Sequence, residues 1–249
     1  MMRRVRHVLR RFIYALPAGP RSEFRALRHS LLIASRRFRC EEPEWQRLQE
    51  WLGPGDVAID VGANVGYYTW RLSELVGPTG HVIAIEPLHE SFCALARNAQ
   101  RFRHQNVTLL NVAASNAHCF VKMSAPTYEP GLARLDRQGT WSCLAMLIDS
   151  LAVPGPVRLV KIDVEGHELQ VLKGMEKLLS RDRPVIIFEA RREAAEFLVG
   201  WNYSITGGCS PNLLATPQHS PTIPSCAASV PDLGYAEAEG NLHPRSLPA

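Results

Sequence analysis

The 249-residue chain lacks the features of disulfide-stabilised, zinc-binding and membrane-spanning proteins. Its six cysteines are scattered with no Cys-x-x-Cys pair, which favours reduced thiols in a cytosolic protein over a disulfide framework or a zinc site. No apolar run approaches the roughly 20 residues that a membrane-spanning helix needs, and there is no internal repeat. A hydrophobic content of 46% and a charged content of 21% are typical of a soluble protein with one domain core.

Acidic residues are nearly absent from the first 40 residues, which hold eleven arginines, no lysine and a single acid, Glu23. This segment therefore carries +10, and because the whole chain carries +4, the remainder carries −6. A mildly acidic body is not typical of a nucleic-acid-binding domain, so we expect no nucleic-acid partner.

The arginines of residues 1–39 are interleaved with apolar residues at helical spacing, from Val5 to Ile13. One interpretation is an interfacial helix that contacts an anionic membrane peripherally, or a patch that binds an acidic partner. Others are a solvated extension, a helix packed beside the domain, or a transit peptide. We assign residues 1–42 to a basic, partly helical extension of a cytoplasmic protein.

The most informative stretch is a short apolar strand, Val57–Val61, followed by a glycine turn. Asp60 lies near the end of the strand, and Gly62 and Gly66 bracket a turn into a helix, an arrangement typical of the nucleotide-facing edge of a doubly wound α/β sheet. The Gly-x-Gly-x-x-Gly pattern of dinucleotide sites is not met, because Asn64 stands at its second glycine. Asp-x-Gly-x-x-x-Gly instead resembles the first motif of S-adenosylmethionine (SAM) methyltransferases, although an ordinary glycine turn remains the alternative.

Acids and small polar residues follow several of the later predicted strands. Glu86 follows the strand His81–Ile85 and stands 24 residues after Gly62, the distance at which an acid reaches the ribose hydroxyls of a nucleoside. Ser115 and Asn116 follow the predicted strand 107–112, where side chains lie near an adenine.

Two more acids end strands on the same edge. Asp163 ends the predicted strand 159–163, and Glu189 follows the predicted strand 185–188. Between them we predict one helix with an apolar face at Leu169, Leu172, Met175 and Leu179. We predict a strand followed by a long loop for residues 118–141, and the last two strands at 203–206 and 213–216.

From about Gly55 to Pro217 the chain resembles the FkbM family of SAM-dependent methyltransferases. The resemblance rests on Asp-Val-Gly-Ala-Asn-Val-Gly-Tyr-Tyr-Thr from Asp60, Ile-Glu-Pro from Ile85, and Val-Lys-Ile-Asp-Val-Glu-Gly-His-Glu from Val160. It implies a seven-stranded, Rossmann-like doubly wound α/β sheet at residues 43–217 and SAM as the methyl donor. It further implies methylation of a hydroxyl on a sugar, polyketide or other small-molecule or glycan acceptor. Residues 218–249, rich in Pro, Ser and Ala, are predicted to form a disordered tail.

The resemblance also suggests a role for each candidate residue. Within the turn, Gly62, Asn64 and Gly66 would face the methionyl part of SAM. Asp60 would hold the SAM ammonium, Glu86 the ribose, and Ser115 or Asn116 the adenine. Asp163 is the first candidate for a base or positioner at the reacting hydroxyl, followed by His167, and Glu189 would orient the acceptor. Nothing in the sequence requires a metal.

Two departures from the family pattern stand out. The segment between Glu189 and Asn212 is short, and Ser115-Asn116 replace an acid that often follows the third strand. A non-catalytic SAM-binding or assembly protein on the same fold is therefore an alternative. A nucleic-acid methyltransferase is a more distant one, since no Asn/Asp-Pro-Pro-Tyr-like motif is present.

Overall fold

The computed structural model describes residues 30–33, 35, 40, 42–124, 134–136, 138–207 and 211–218. The predictions for residues 1–29 and for the tail after residue 218 lie outside the described residues. Residues 30–33 are helical. In the described part of the chain, no helix is both long enough and apolar enough to span a membrane.

The described strands, in chain order, are β1 (Val57–Val61), β2 (His81–Ile85), β3 (Val107–Leu110), β4 (Ala113–Ala114), β5 (Cys119–Ser124), β6 (Arg134–Leu135), β7 (Trp141–Met146), β8 (Val157–Ile162), β9 (Val185–Glu189), β10 (Tyr203–Thr206) and β11 (Asn212–Pro217). Besides the helical residues 30–33, the described α-helices are α1 (Pro43–Arg47), α2 (Tyr67–Val76), α3 (His89–Ala99), α4 (Glu168–Lys173), α5 (Glu176–Asp182) and α6 (Arg192–Gly200). Short 3₁₀ turns lie at Leu48–Glu50 and Ile148–Ser150.

Seven strands form the main sheet, in the order β10-β11-β9-β8-β1-β2-β3. β1 pairs in parallel with both β2 and β8, whereas β11 is antiparallel to β9 and β10. The strand order therefore reverses at β1, and doubly wound sheets bind ligands at the carboxyl ends of strands beside such a reversal. The predicted Rossmann-like doubly wound sheet is confirmed, and both predicted last strands are present in it.

The core lies on both faces of this sheet. Alternate residues of β1 point to opposite faces, so Ile59 packs with Val160 and Leu172 on one side, and Ala58 packs with Leu72 on the other. All five residues of β1 are buried, including Asp60, because helices cover both faces. A carboxylate is thus forced into the interior immediately before the glycine turn.

The structure corrects the prediction for residues 118–141. β5 is the predicted strand, but β6 and β7 join it and β4 in a second sheet of order β4-β7-β5-β6. β5 and β7 share a mixed burial pattern with a single fully buried residue each, Met123 and Ala145. The sheet escaped prediction because strands exposed on so much of both faces lack the clear alternation that identifies them.

The prediction of a single helix after Asp163 is also wrong. It is divided into α4 and α5 at Gly174, where a Cβ atom would lie 2.0 Å from the carbonyl oxygen of Ser115. The close approach of another backbone breaks the helix, and this contact was not visible in the apolar spacing.

Candidate active site

A cleft opens at the carboxyl ends of β1, β2 and β8, with about 610 Å³ of empty space including part of the open solvent. Five of the ten predicted site residues line the cleft: Gly62, Asn64, Glu86, Asp163 and His167. Its apolar wall includes Pro87, Ala114, Met123, Leu135 and Val164, and the second sheet contributes four lining residues, Ala113, Ala114, Met123 and Leu135.

The glycine turn brings two strand ends together. Gly62 has φ of 82°, and a Cβ atom there would lie 1.8 Å from the carbonyl oxygen of Asp163. Gly66 has φ of 95°, and its Cβ atom would lie 2.6 Å from Cδ1 of Leu95. Both positions therefore require glycine. Gly62 belongs to the cleft wall, whereas Gly66 packs on α3 behind it.

Two backbone N–H groups hold the carboxylate of Glu86 at the cleft. Its Oε2 accepts a hydrogen bond of 2.8 Å from the backbone N–H of Asn64, and its Oε1 accepts one of 2.8 Å from that of Leu88. Burial raises the pKa of Glu86 to about 7, although both hydrogen bonds favour the ionised form. Each oxygen has a second lone pair, so an ionised Glu86 can also accept from two hydroxyls.

Asp60 lies beneath the cleft wall and is not among the residues that line the cleft. Its Oδ2 accepts a hydrogen bond of 2.6 Å from the Thr69 hydroxyl, whereas Oδ1 is buried without a hydrogen-bond partner. Burial raises the pKa of Asp60, opposed by the positive charge of Lys161 and by Thr69. A buried carboxylate oxygen without a donor is costly, so a cationic group at this strand end would stabilise it.

The other side of the cleft holds a polar network centred on Lys161, which the sequence analysis missed. The Lys161 side chain is 3% exposed, and Nζ donates to Oδ2 of Asp163 at 2.8 Å. The same ammonium lies 4.5 Å from the ring centroid of Tyr68, whose hydroxyl donates to Glu42. Asn212 donates to the same Glu42 oxygen at 3.1 Å. Asp163 itself is 49% exposed, so its carboxylate remains open to the cleft.

His167 lines the cleft, and Ser115 contacts it from behind. The Ser115 hydroxyl lies 3.0 Å from Nε2 of His167, within hydrogen-bond distance. Burial lowers the pKa of His167, which favours the neutral ring at neutral pH. Ser115 is buried, does not line the cleft, and lies behind His167, while Asn116 is exposed outside it.

Glu189 does not line the cleft either. Its Oε2 accepts a hydrogen bond of 3.0 Å from Nη2 of Arg191, and Arg191 also lies 3.8 Å from a carboxylate oxygen of Glu168. Glu165 has φ of 51°, and burial followed by the nearby charge of Glu189 raises its pKa. The Glu-x-x-Glu spacing of residues 165 and 168 was visible, but it gave no sign of Arg191 as their common counter-ion.

Comparison with known proteins identifies the type of domain. Residues 60–206, more than half of the chain, match the sequence model of the methyltransferase FkbM domain. The chain belongs to the FkbM methyltransferase family. The methyl donor of this family is SAM.

Individual similarities extend over part of each protein. The hexuronic acid methyltransferase AglP of Haloferax volcanii is 31% identical over 156 residues, which are 61% of this chain and 63% of AglP. A protein-L-isoaspartate O-methyltransferase of Methanothrix thermoacetophila is 37% identical over 59 residues, or 24% of this chain and 28% of that protein. The chain thus matches less than two thirds of the length of these relatives. The crystal structure of an FkbM methyltransferase from Methylobacillus flagellatus KT superposes with a TM-score of 0.49 at 17% identity, over 77% of this chain and 59% of that one.

The residues of this FkbM domain fit the chemistry of SAM. Glu86 retains acceptor capacity for the two ribose hydroxyls, and Gly62, which carries no side chain, lines the cleft with its backbone. The buried Oδ1 of Asp60 lacks a donor, and an ammonium can supply one. Among the described residues, no group of three or more His, Cys, Asp or Glu side chains has the geometry to hold a metal ion.

Proposed function

We propose that the protein is a SAM-dependent O-methyltransferase that acts on a hydroxyl of a sugar, with other hydroxylated small molecules or glycans as less favoured acceptors. The observation that carries the proposal is the position of Asp163. Its half-exposed carboxylate lines the same cleft as Gly62 and Glu86, so it lies next to the site proposed for the cofactor. The similarity to a hexuronic acid methyltransferase supports a sugar acceptor.

SAM supplies an activated methyl group and its own leaving group, so the protein has to align the acceptor and exclude water. A hydroxyl is a poor nucleophile until its proton is removed. We assign that proton to Asp163, which receives it as the acceptor oxygen becomes methylated. Lys161 holds Oδ2 of this carboxylate at 2.8 Å, and we infer that it keeps the other oxygen directed to the acceptor.

His167 takes a lesser part in this proposal than Asp163. Its Nε2 is engaged with the Ser115 hydroxyl, and its lowered pKa leaves a neutral ring at neutral pH. We therefore assign His167 and Ser115 to the wall that encloses the cofactor. Glu189, bound to Arg191 and outside the cleft, is assigned to orienting Arg191 and the neighbouring acids of the acceptor side.

The test is methyl transfer to a panel of hexuronic acids and neutral methyl glycosides, with the products analysed by mass spectrometry. We expect a methyl ether from at least one sugar, formed at least about a hundredfold more slowly with Asp163→Asn. The matched control is Asp136→Asn, since Asp136 directly follows β6 of the second sheet and does not line the cleft. SAM binding without transfer to any hydroxylated acceptor would support the non-catalytic alternative.

A further inference from the structure

Two buried asparagines from later in the chain contact opposite ends of helix α2, and each makes the same two kinds of hydrogen bond. Asn98 donates through Nδ2 to the carbonyl oxygen of Val65 at 2.7 Å, and Asn106 donates to that of Gly77 at 2.7 Å. The side-chain oxygen of each accepts from a serine hydroxyl, at 2.5 Å from Ser30 and 2.6 Å from Ser73. The two sites differ in place, because only the Asn98 site adjoins the glycine turn.

The Val65 carbonyl belongs to the turn between Gly62 and Gly66. The same turn presents the backbone N–H of Asn64 to Glu86, and its Gly66 N–H donates to the carbonyl of Ala63 at 2.8 Å. Asn98 is 1% exposed, so water does not replace its bond to Val65. The position of the turn, and with it the cleft wall at Gly62, thus depends on the side chain of Asn98.

Ser30 completes the hydrogen bonding of the Asn98 amide. The Val65 carbonyl can only accept, so Nδ2 must face it, and the Ser30 hydroxyl supplies the donor that the opposite oxygen, Oδ1, needs. Ser30 lies outside residues 60–206, the part that matches the family domain. Its helical segment is anchored by Ile33, which is 2% exposed.

We propose that Asn98 is a positioning residue for the cofactor-binding turn, and that the segment preceding the FkbM domain sets the affinity for SAM through Ser30. This goes beyond the methyl-transfer proposal, since it concerns cofactor affinity alone and rests only on SAM binding at the glycine turn. The arrangement links a segment outside the family domain to the cofactor site through one side chain.

The test compares matched pairs of variants of the full chain. Asn98→Asp and Asn106→Asp each keep the side-chain shape and remove the same N–H donor. Ser30→Ala and Ser35→Ala each remove a hydroxyl from the same segment, but Ser35 bonds only locally, to the carbonyl of Leu32 at 3.2 Å. Binding of S-adenosylhomocysteine (SAH) is measured by calorimetry, thermal stability by unfolding, and the opening of the turn by hydrogen exchange at the Gly66 amide.

We expect Asn98→Asp to weaken SAH binding by about tenfold and Ser30→Ala by about threefold. Asn106→Asp and Ser35→Ala should leave the affinity within about twofold of the wild type, even where Asn106→Asp lowers the melting temperature as much as Asn98→Asp does. Hydrogen exchange at the Gly66 amide should accelerate in Asn98→Asp and Ser30→Ala alone.

Equal effects of Asn98→Asp and Asn106→Asp on SAH binding would overturn the proposal, because loss of general stability would then explain both. A Ser30→Ala variant with the same SAH affinity as Ser35→Ala would also overturn the proposal. If the wild type bound no SAH, the methyltransferase proposal would fail. Hydrogen exchange would still test the proposal about Asn98 and Ser30. Unchanged exchange at the Gly66 amide in both Asn98→Asp and Ser30→Ala would contradict it.

Discussion

The two halves of the cleft are built differently. On the side that we propose for the cofactor (the cofactor half), the turn after β1 and the end of β2 hold each other through short backbone bonds to Glu86. On the side that we propose for the acceptor (the acceptor half), the ends of β8 and β9 carry several acids that share two cations, Lys161 and Arg191. In the first half, the bonds to Glu86 join residues at most 22 positions apart in the chain. The other depends on residues far apart in sequence, including Glu42 and Asn212.

This difference indicates which half is fixed and which is variable. A preorganised cofactor half suits a ligand common to a whole family, because its groups need little rearrangement on binding. The acceptor half is held through side chains of distant segments, so changes in those segments alter it without disturbing the cofactor. Variants that affect one half and spare the other test this separation.

The largest expected effect is on the acceptor half. Asp163→Asn should lower the turnover number by about 10² to 10⁴, the usual contribution of a general base, while the affinity for SAH stays within about threefold. Initial rates and calorimetry on one preparation check both values. An equal loss of turnover and SAH affinity would mean that Asp163 belongs to the cofactor half.

The next largest effect concerns Lys161. Lys161→Met removes the counter-ion of buried Asp60 and half-exposed Asp163, and it should lower the free energy of unfolding by about 2 to 3 kcal/mol, less than for a fully buried pair. Lys161→Arg, which keeps the charge, should retain more of this stability. Urea denaturation at pH 7.5 measures both variants. A Lys161→Met variant as stable as the wild type would contradict the stabilising role of Lys161 in the acceptor half.

A third prediction concerns the cofactor half and pH. The pKa of Glu86 is about 7 in the folded protein, and the ionised form accepts hydroxyl donors best. SAH affinity should therefore fall as the pH drops below about 7, by at most about tenfold per pH unit. Glu86→Gln should weaken binding and flatten this dependence. A wild-type profile that is flat between pH 5 and 8, a range of about three pH units, would contradict an ionised Glu86 as the acceptor group.

The same raised pKa has an opposite consequence for stability. Between its ordinary pKa and about 7, Glu86 binds more protons in the folded state than in the unfolded state. Its contribution to the free energy of unfolding therefore decreases as the pH rises through this range, and the full cost of burying its charge is present above about pH 7. Glu86→Gln should remove this part of the pH dependence in urea denaturation.

The smallest effect is expected at the edge of the acceptor half. Glu42→Gln keeps one acceptor oxygen and removes the charge that holds Tyr68 and Asn212, so it should cost about 1 kcal/mol of unfolding free energy. The Michaelis constant for the acceptor should change, whereas SAH affinity should stay within about twofold. A weakened affinity for SAH would show that the halves are coupled through α2.

Much of the cofactor half was predictable because its elements follow one another in the chain. The run of apolar residues before Gly62 identified β1, and the distance to Glu86 placed an acid at the end of β2. Both residues line the cleft. The positions of Ser115 and Asn116 were less predictable, because β4 and the second sheet turn the chain there and leave Ser115 behind His167.

The acceptor half was harder to predict for a physical reason. Lys161 stands in β8 between Val160 and Ile162, and nothing in the local pattern shows that its charge is buried against Tyr68 and Asp163. The contact with Tyr68 joins β8 to α2, and these two elements are far apart in the sequence. The roles assigned to Asp163, His167 and Glu189 stay predictions.

The most direct test of the central claim is calorimetric titration with SAM and SAH of the wild type, Glu86→Ala and Glu90→Ala. Glu90 is an exposed glutamate in the first turn of α3 and serves as the matched control. We predict micromolar binding to the wild type and to Glu90→Ala, weakened at least about tenfold in Glu86→Ala, a loss of about 1.4 kcal/mol. No detectable binding to folded wild-type protein would contradict the assignment of the cleft to SAM.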